Sequence, residues 1–233
     1  MSRAGPHQSA PVTVITALAA EGRTLNRAQS RVHHLVCGPG PAAARQATLT
    51  ALTAAPAAIV SWGVAGALSR DFAAGDIFRP DTVVSADGQV FVTSGPGRDG
   101  SRLVSVDAPV RTLEARLELA ARSGAGIVDM ESGSIAEVCA AARIPFQCVR
   151  AVADGVDDVL PDWVDDLMTP AGNLAACSAV LAILRHPGSL PALLRTGAGF
   201  RRALKALEQA ARSRPWPDET SDMNPIRPEA NDR

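Results

Sequence analysis

Short apolar segments alternate with helical segments along most of this chain, and that alternation constrains the fold more than any other feature. Apolar and β-branched runs predict buried strands at 12–18, 57–63, 102–108, 126–131 and 145–154. Helices are predicted at 41–52, 111–124, 132–144, 171–185 and 190–213, and a hairpin or two adjacent strands around the turn at 87–88. This order of elements indicates an α/β sheet.

The length and composition fit one globular domain. With 233 residues and 46% hydrophobic content, the chain can bury a large core. We predict a domain at 12–213, a flexible N-terminus at 1–11 and a disordered, Pro-rich polar tail at 214–233.

Charge and cysteine content argue against several kinds of partner. The net charge is −1 and no basic tract is interleaved with aromatic residues, so nucleic acid is not an expected ligand. The four cysteines form no Cys-x-x-Cys pair, which predicts free thiols in the cytoplasm and no metal site. Residues 1–22 also resemble a weak signal peptide, although Thr13 and Thr16 interrupt its apolar run, which fits a first buried strand.

Acidic side chains occur where predicted strands end. Glu21, Asp107, Glu131 and Asp154 each lie at or just after such an end. Ligands of open α/β sheets bind beyond the carboxyl ends of the strands, so these acids predict a functional site on one rim of the sheet. The alternative for any single acid is that it caps the helix that follows.

Several motifs resemble one enzyme superfamily. DMESG at 129–133, VRAVADG at 149–155, GVAGAL at 63–68 and LAAE at 18–21 are similar to motifs of the purine nucleoside phosphorylases and methylthioadenosine nucleosidases. CGPGP at 37–41, VADGVDDVLP at 152–161 and LPALLR at 190–195 most resemble the hopanoid-associated phosphorylases, which act on adenosylhopane. The resemblance implies a single α/β domain with a mixed central β-sheet flanked by helices.

The resemblance also implies roles for the acids, and the chemistry agrees with them. Cleavage of an N-ribosidic bond develops positive charge on the sugar and requires protonation of the departing purine. Asp154 matches the general acid of the family and Glu131 matches the carboxylate that binds the ribose hydroxyls, with Met130 packed against the sugar or base. Arg150 is a cation on the substrate side or one half of a buried ion pair, for which Asp129 is the candidate partner.

Two positions depart from the family pattern. The backbone of Val110 is expected to bind the purine, but Pro109 replaces the aromatic residue that other members stack on the base. Ala153 stands where nucleosidases carry a hydroxyl residue that orients the acid, so another group must orient Asp154 here, for which backbone N–H groups and water are candidates.

The nucleophile is left open by the sequence. Phosphate requires backbone N–H groups or basic side chains, for which Gly38, Gly40, Gly63 and Gly66 are candidates, together with Arg23 and Arg45. Water requires only a base, and Glu21 is the candidate. The resemblance to the hopanoid branch favours inorganic phosphate as co-substrate, with no other cofactor.

The main functional prediction is an enzyme that releases adenine from a 5′-modified adenosine, adenosylhopane above all, by phosphorolysis. The alternatives are a hydrolytic nucleosidase of methylthioadenosine-like nucleosides and a nucleoside-binding protein with little turnover. The resemblance also implies a homodimer or larger homo-oligomer.

The last predicted helix carries an apolar stripe with a basic flank, formed by Arg195, Arg201, Arg202, Lys205 and Arg212. This pattern suits a peripheral helix at the inner face of a membrane, where a lipid-linked nucleoside would be collected. The favoured alternative is an ordinary core-packing surface helix with solvated basic residues, in which Gly197 and Gly199 break the middle.

Overall fold

The computed structural model describes residues 10–25, 32–95, 100–158, 190–213 and 226–228. The strands are β1 (Val12–Thr16), β2 (Val32–Val36), β3 (Ala58–Ala67), β4 (Ile77–Phe78), β5 (Thr82–Val84), β6 (Val90–Val92), β7 (Arg102–Ser105), β8 (Ile127–Asp129), β9 (Phe146–Asp154) and β10 (Arg227–Pro228). The helices are α1 (Ala19–Gly22), α2 (Pro41–Leu52), α3 (Leu113–Ser123), α4 (Ser132–Ala142) and α5 (Leu190–Arg212).

The strands form one mixed sheet in the order β10-β6-β5-β7-β8-β3-β1-β2, with β9 beside β3 and β4 beside β9. Strands β2, β1, β3 and β9 run parallel to one another. Strand β8 runs antiparallel to β3, and β6 runs antiparallel to both β5 and β10. The predicted fold class, a mixed central sheet flanked by helices, is confirmed.

Helices cover both faces of this sheet. On one face, α2 and α4 contribute small apolar residues such as Ala44 and Ala136 to the main core cluster. On the other face, α5 packs Ala203 and Leu207 against residues of β3 and β9. Because only 3% of the residues are aromatic, the core is filled mainly by aliphatic side chains, which suits close packing of helices on the sheet.

Most predicted elements are present, and the differences have local causes. Helix α3 ends at Gly124, which adopts the left-handed conformation with φ of 66°. Strand β3 is longer than predicted, because the expected Gly-rich turn at 63–67 stays extended and pairs with β9. Strand β2 was not predicted, since its sequence VHHLV lies at a sheet edge and two of its side chains are exposed histidines.

The prediction of a disordered tail fails for residues 226–228, where Ile226 is buried and β10 pairs with β6. The remainder of 214–233, residues 1–9 and the predicted helix at 171–185 lie outside the described residues. None of the helices in the described ranges is long and apolar enough to cross a membrane.

Helix α5 is continuous through Gly197 and Gly199, so the prediction that these glycines break it is wrong. A Cβ atom built on Gly199 would lie 2.1 Å from the carbonyl oxygen of Ala153 in β9. A Cβ built on Gly197 would meet nothing within 4 Å. Gly199 therefore allows the helix to approach the backbone that precedes Asp154.

Candidate active site

Asp154 ends β9 directly after a β-bulge. The pairing of β3 with β9 runs from Ala65 opposite Val152 to Gly66 opposite Asp154, which leaves Ala153 as the extra residue. Bulges bend a strand and redirect the side chains next to them. The bulge therefore sets the direction in which the Asp154 carboxyl leaves the sheet.

The partner of Asp154 is Arg116 of α3, which forms a short ion pair with the Asp154 Oδ2 atom. The Arg116 side chain is only 4% exposed and that of Asp154 is 15% exposed. Burial raises the pKa of Asp154, while the Arg116 guanidinium acts in the opposite direction. Burial is the larger effect, so the carboxyl keeps its proton to a higher pH than an ordinary aspartate.

Sequence reasoning missed Arg116 as a member of the site. The signal was present, because Arg116 shares the inward face of the amphipathic helix with Leu119, one turn away, and Ala120. A cation within an apolar stripe needs a buried acceptor, and its fork of donors reaches several acceptors at once.

Glu21 is anchored by backbone donors. Its Oε2 atom accepts from the N–H of Leu18 at 2.8 Å and its Oε1 atom accepts from the N–H of Val64 at 2.9 Å. The side chain is buried, and this burial raises the pKa of the carboxyl. A raised pKa brings a carboxylate closer to the range in which it works as a general base near neutral pH.

Glu131 lies just beyond β8, where the chain turns into α4. Its Oε1 atom accepts from the N–H of Gly40 at 2.8 Å. Burial, reinforced by the nearby negative charge of Asp129, raises the pKa of Glu131 to about 7. Glu131 reaches the site although β8 runs antiparallel to β3, so the predicted single rim of carboxyl strand ends does not describe this acid.

Asp129 and Arg150 form a buried ion pair between β8 and β9. The Arg150 Nε atom donates to Asp129 Oδ2 at 2.8 Å, and its Nη2 atom donates to the hydroxyls of Ser61 and Ser132 at 2.7 and 2.8 Å. The Asp129 carboxylate also accepts from the hydroxyl of Ser132 at 2.5 Å. The pairing predicted for Asp129 is present. Arg150 also lines a small cavity that Glu21 and Glu131 share, and its predicted contact with substrate stays a prediction.

Several of the predicted site residues line one small cavity. Its volume is about 10 Å³, and its lining includes Glu21, Cys37, Gly63, Glu131 and Arg150. A space of this size is about that needed by one water molecule. The cavity therefore lies between the two carboxylates proposed for the nucleophile and for the ribose.

Two glycines of β3 lie beneath two of the carboxylates. A Cβ atom on Gly63 would lie 2.7 Å from Glu21 Oε1, and one on Gly66 would lie 3.1 Å from Asp154 Oδ2. The sequence predicted a phosphate-binding turn here, but both glycines belong to the extended strand. Their small size leaves room for the acids, which gives a reason for glycine at both positions apart from phosphate.

Three of the other predicted phosphate donors are already engaged, whereas Arg23 is exposed. The N–H of Gly38 donates to the carbonyl of Ala17 at 3.1 Å, and that of Gly40 donates to Glu131. Arg45 forms an ion pair with Glu137 at 2.8 Å on the surface. Gly38, Gly40 and Arg45 therefore do not form a preorganised set of free donors for an anion.

The predicted base-binding residues lie apart from the small cavity. Pro109 is exposed, and the carbonyl of Val110 accepts from Arg116 Nε at 3.2 Å. Met130 is half-buried between β8 and Glu131. Asp107 borders a separate open cleft of about 340 Å³ with Ser85 and Glu137. No cluster of three or more potential metal ligands occurs within the described ranges.

The fold and the carboxylates together define a class: an α/β protein whose acids suit cleavage of a glycosidic bond. The chain belongs to the phosphorylase superfamily, whose family model matches residues 12–102 and 99–185. The predictions of superfamily and of a nucleoside phosphorylase or nucleosidase enzyme are thereby confirmed. No curated protein matches the chain in sequence.

Solved structures with the same fold include three bacterial enzymes. The Helicobacter pylori 5′-methylthioadenosine/S-adenosyl homocysteine nucleosidase has a TM-score of 0.66 at 14% identity, covering 88% of this chain and 98% of its own. H. pylori futalosine hydrolase has a TM-score of 0.66 at 14% identity, with coverage of 89% and 97%. The Neisseria meningitidis 5′-methylthioadenosine/S-adenosylhomocysteine nucleosidase has a TM-score of 0.63 at 18% identity, with coverage of 86% and 96%.

Proposed function

We propose that this protein hydrolyses the N-ribosidic bond of a 5′-modified adenosine and releases adenine. The observation that carries the proposal is a pair of carboxylates, the buried Glu21 and the half-buried Glu131, that both line a cavity the size of one water molecule. Asp154 supplies a third carboxyl at the end of β9. The similar structures named above are those of nucleosidases and of a hydrolase, which supports the same reaction class.

In this mechanism Asp154 donates a proton to the purine as the bond breaks. Its burial keeps the carboxyl protonated to higher pH, which is what a general acid needs. Glu131 accepts from the ribose hydroxyls and stabilises the positive charge that develops on the sugar. Its Oε1 atom is already fixed by Gly40, so the carboxylate is held in place before substrate arrives.

Water is the nucleophile that the geometry supports best. Glu21 is held by two backbone N–H groups, and its raised pKa suits a general base. Phosphate would need several free donors, whereas Gly38, Gly40 and Arg45 donate to other partners. Glu21 therefore removes a proton from water as it attacks the anomeric carbon.

The test is release of adenine from 5′-methylthioadenosine in phosphate-free buffer, with the sugar product identified by mass spectrometry. Hydrolysis gives a free 1-hydroxyl sugar that takes up ¹⁸O from labelled water, and phosphate changes neither rate nor product. The control is Asp154→Asn, which should abolish release while nucleoside affinity changes by less than about tenfold, because an amide binds the purine but cannot protonate it. Binding without release by the wild type would instead support the nucleoside-binding alternative.

Phosphorolysis of adenosylhopane in the cytoplasm is the second candidate. It is favoured by CGPGP at 37–41 and by the other motifs that resemble the hopanoid-associated phosphorylases. The same assay on detergent-dispersed adenosylhopane distinguishes it, because phosphorolysis requires phosphate and gives a sugar 1-phosphate. Release from methylthioadenosine but not from adenosylhopane would remove this candidate.

A lipid-linked substrate would also require contact with a membrane. Helix α5 buries Ala203 and Leu207 against the sheet, which accounts for its apolar stripe by core packing. Its outer face still exposes Arg201, Arg202 and Lys205. We propose peripheral binding through these cations, tested by co-sedimentation with anionic liposomes at low salt, which replacement of all three by Gln should weaken. If the triple replacement does not change co-sedimentation, the role of α5 is core packing alone.

A homodimer or larger homo-oligomer is proposed from the same family resemblance. Light scattering on the purified chain gives its mass directly, with 24.1 kDa expected for the monomer.

A further inference from the structure

We infer that Arg116 is a positioning residue that fixes the Asp154 carboxyl relative to the turn carrying Val110. The inference rests on the proposed function, because it assigns Arg116 a role in proton donation to the purine. Arg116 contacts no reacting atom in the proposed mechanism, so its effect passes through Asp154.

Arg116 contacts three segments of the chain besides Asp154. Its Nε atom donates to the carbonyl of Val110 at 3.2 Å, and its Nη1 atom donates to the carbonyls of Gly155 at 2.7 Å and Ala67 at 3.3 Å. These carbonyls belong to the turn before α3, to the residue after β9 and to the end of β3. One planar guanidinium therefore ties these three segments to the carboxyl of the candidate acid.

The sequence left open how Asp154 is oriented, since Ala153 has no hydroxyl. In the structure Arg116 donates to the Asp154 carboxyl, and it does so from α3 rather than from the strand that carries the acid. Because both side chains are largely buried, few alternative rotamers are open to either partner. The proton donor is thus held in one direction before the nucleoside binds.

The pair also has an electrostatic consequence. Within the part of the chain that the structure describes, the charged groups that face Asp154 are Arg116 from α3 and Asp158 from the turn after β9. Burial and Asp158 raise the pKa of Asp154, and Arg116 lowers it. Activity that depends on protonated Asp154 falls as pH rises through this pKa. This fall is the alkaline limb of the pH–activity profile. Removing the Arg116 charge should therefore move the alkaline limb to higher pH.

The experiment compares Arg116→Lys and Arg116→Gln with the wild type in the adenine-release assay across pH. Lysine keeps the charge but cannot reach four acceptors, so kcat should fall about 10- to 100-fold with the alkaline limb near its wild-type pH. Glutamine loses the charge as well, so kcat should fall similarly and the limb should move up by about one pH unit or more. Arg122→Gln, on the exposed face of the same helix, is the matched control and should change neither.

A purely structural Arg116 gives a different result. A folded Arg116→Gln protein with an unmoved limb, or with kcat within about twofold of wild type, would overturn the inference while leaving the proposed function intact. Failure of the wild type to release adenine would overturn both. If Arg116→Gln does not fold, the Arg116→Gln/Asp154→Asn double variant is examined by circular dichroism. Recovery of folding supports the specific pair, and failure to recover assigns Arg116 to the fold alone.

Discussion

The proposed role of Glu131 requires an ionised carboxylate, whereas its surroundings favour the protonated form. As a ribose ligand it must be ionised to accept from two hydroxyls, but burial and the charge of Asp129 favour its protonated form and raise its pKa to about 7. The N–H of Gly40 stabilises the carboxylate and partly offsets this effect. Near neutral pH the group is therefore close to its midpoint, and substrate that donates two hydrogen bonds would favour ionisation.

Replacement of Glu131 by Gln should impair both binding and turnover. The amide still accepts from Gly40, but it accepts poorly from two hydroxyls and gives no stabilisation to the cationic sugar. We expect KM to rise and kcat to fall about 100-fold, measured by adenine release. A 2′,3′-dideoxy nucleoside should be a poor substrate for the wild type, and its cleavage at the normal rate would contradict the ribose assignment.

The same residue should make stability depend on pH. Because the folded-state pKa is raised from 4.5 to about 7, the native protein binds more protons than the unfolded chain between these values. This contribution is fully present below about pH 4.5 and is lost as pH rises through about 7. Relative to Glu131→Gln, the wild type should lose at most about 3 kcal/mol of unfolding free energy between pH 4.5 and 8.

Urea denaturation of both proteins at several pH values provides the measurement. The exposed Glu118, replaced by Gln, is the control and should follow the wild type within about 0.5 kcal/mol. Parallel pH curves for the wild type and Glu131→Gln would show that the native carboxyl titrates as it does in the unfolded chain.

Some residues of the site were predictable and others were not. Pairing of Asp129 with a cation followed from the cost of burying an unpaired carboxylate, and Arg150 on the next predicted strand was the candidate. Arg116 is separated from Asp154 by 38 positions. A local sequence pattern cannot predict which helix face packs against which strand end, so this pair could not be predicted. The roles of Asp154 and Glu131 came from family resemblance and that of Glu21 from the need of an attacking water for a base, and all three stay predictions.

At the scale of secondary-structure elements, α5 contacts β9 directly beside the candidate acid. The helix crosses the bulge at Ala153, one residue before the candidate acid. The contact is between backbones, since Gly199 has no side chain to separate them. The packing of α5 therefore bears directly on the position of Asp154.

Alanine at Gly197 and at Gly199 should have opposite effects. At Gly197 the new methyl group meets nothing within 4 Å and replaces a poor helix former, so stability should rise by about 0.5 to 1 kcal/mol. At Gly199 the methyl group would clash with the Ala153 carbonyl, so stability should fall by about 1 to 3 kcal/mol and activity should fall with it. Chemical denaturation and the adenine-release assay measure both. Equal effects at the two sites would contradict the backbone contact.

The limits of element prediction are visible in β2 and β3. The apolar runs of the central strands and the Gly124 that ends α3 can be recognised from sequence alone. Strand β2 lacks that signal because an edge strand with exposed histidines needs no apolar face. Glycines at 63 and 66 indicated a turn, whereas tertiary contacts with two carboxylates explain them within a strand.

At the scale of the whole molecule, a segment near the C-terminus completes the sheet. Strand β10 pairs with β6 at one end of the strand order, and Ile226 enters the main core cluster. A composition-based prediction of disorder cannot detect such a contact, because one buried residue and two paired residues change the composition of the tail very little.

Ile226→Ala should therefore destabilise the protein by about 2 to 4 kcal/mol, as expected for a fully buried isoleucine. Val92→Ala on the neighbouring β6 is the comparison, since Val92 is 45% exposed and its truncation should cost less than about 1 kcal/mol. Thermal unfolding measures both variants. Similar melting temperatures for Ile226→Ala and the wild type would show that the tail adds nothing to the fold.

The two glycines beneath Glu21 and Asp154 have one further consequence. They are three residues apart on β3, which corresponds to about 10 Å at about 3.3 Å per residue. Both carboxyl groups contact that single strand, although Glu21 belongs to α1 and Asp154 to β9. Insertion or deletion of one residue between 63 and 66 would shift one of the two contact positions on β3 by about 3.3 Å and turn the side chains of β3 beyond it to the other face. The spacing of the contacts that the candidate base and the candidate acid make with β3 thus depends on the number of residues between the two glycines as well as on glycine at both positions.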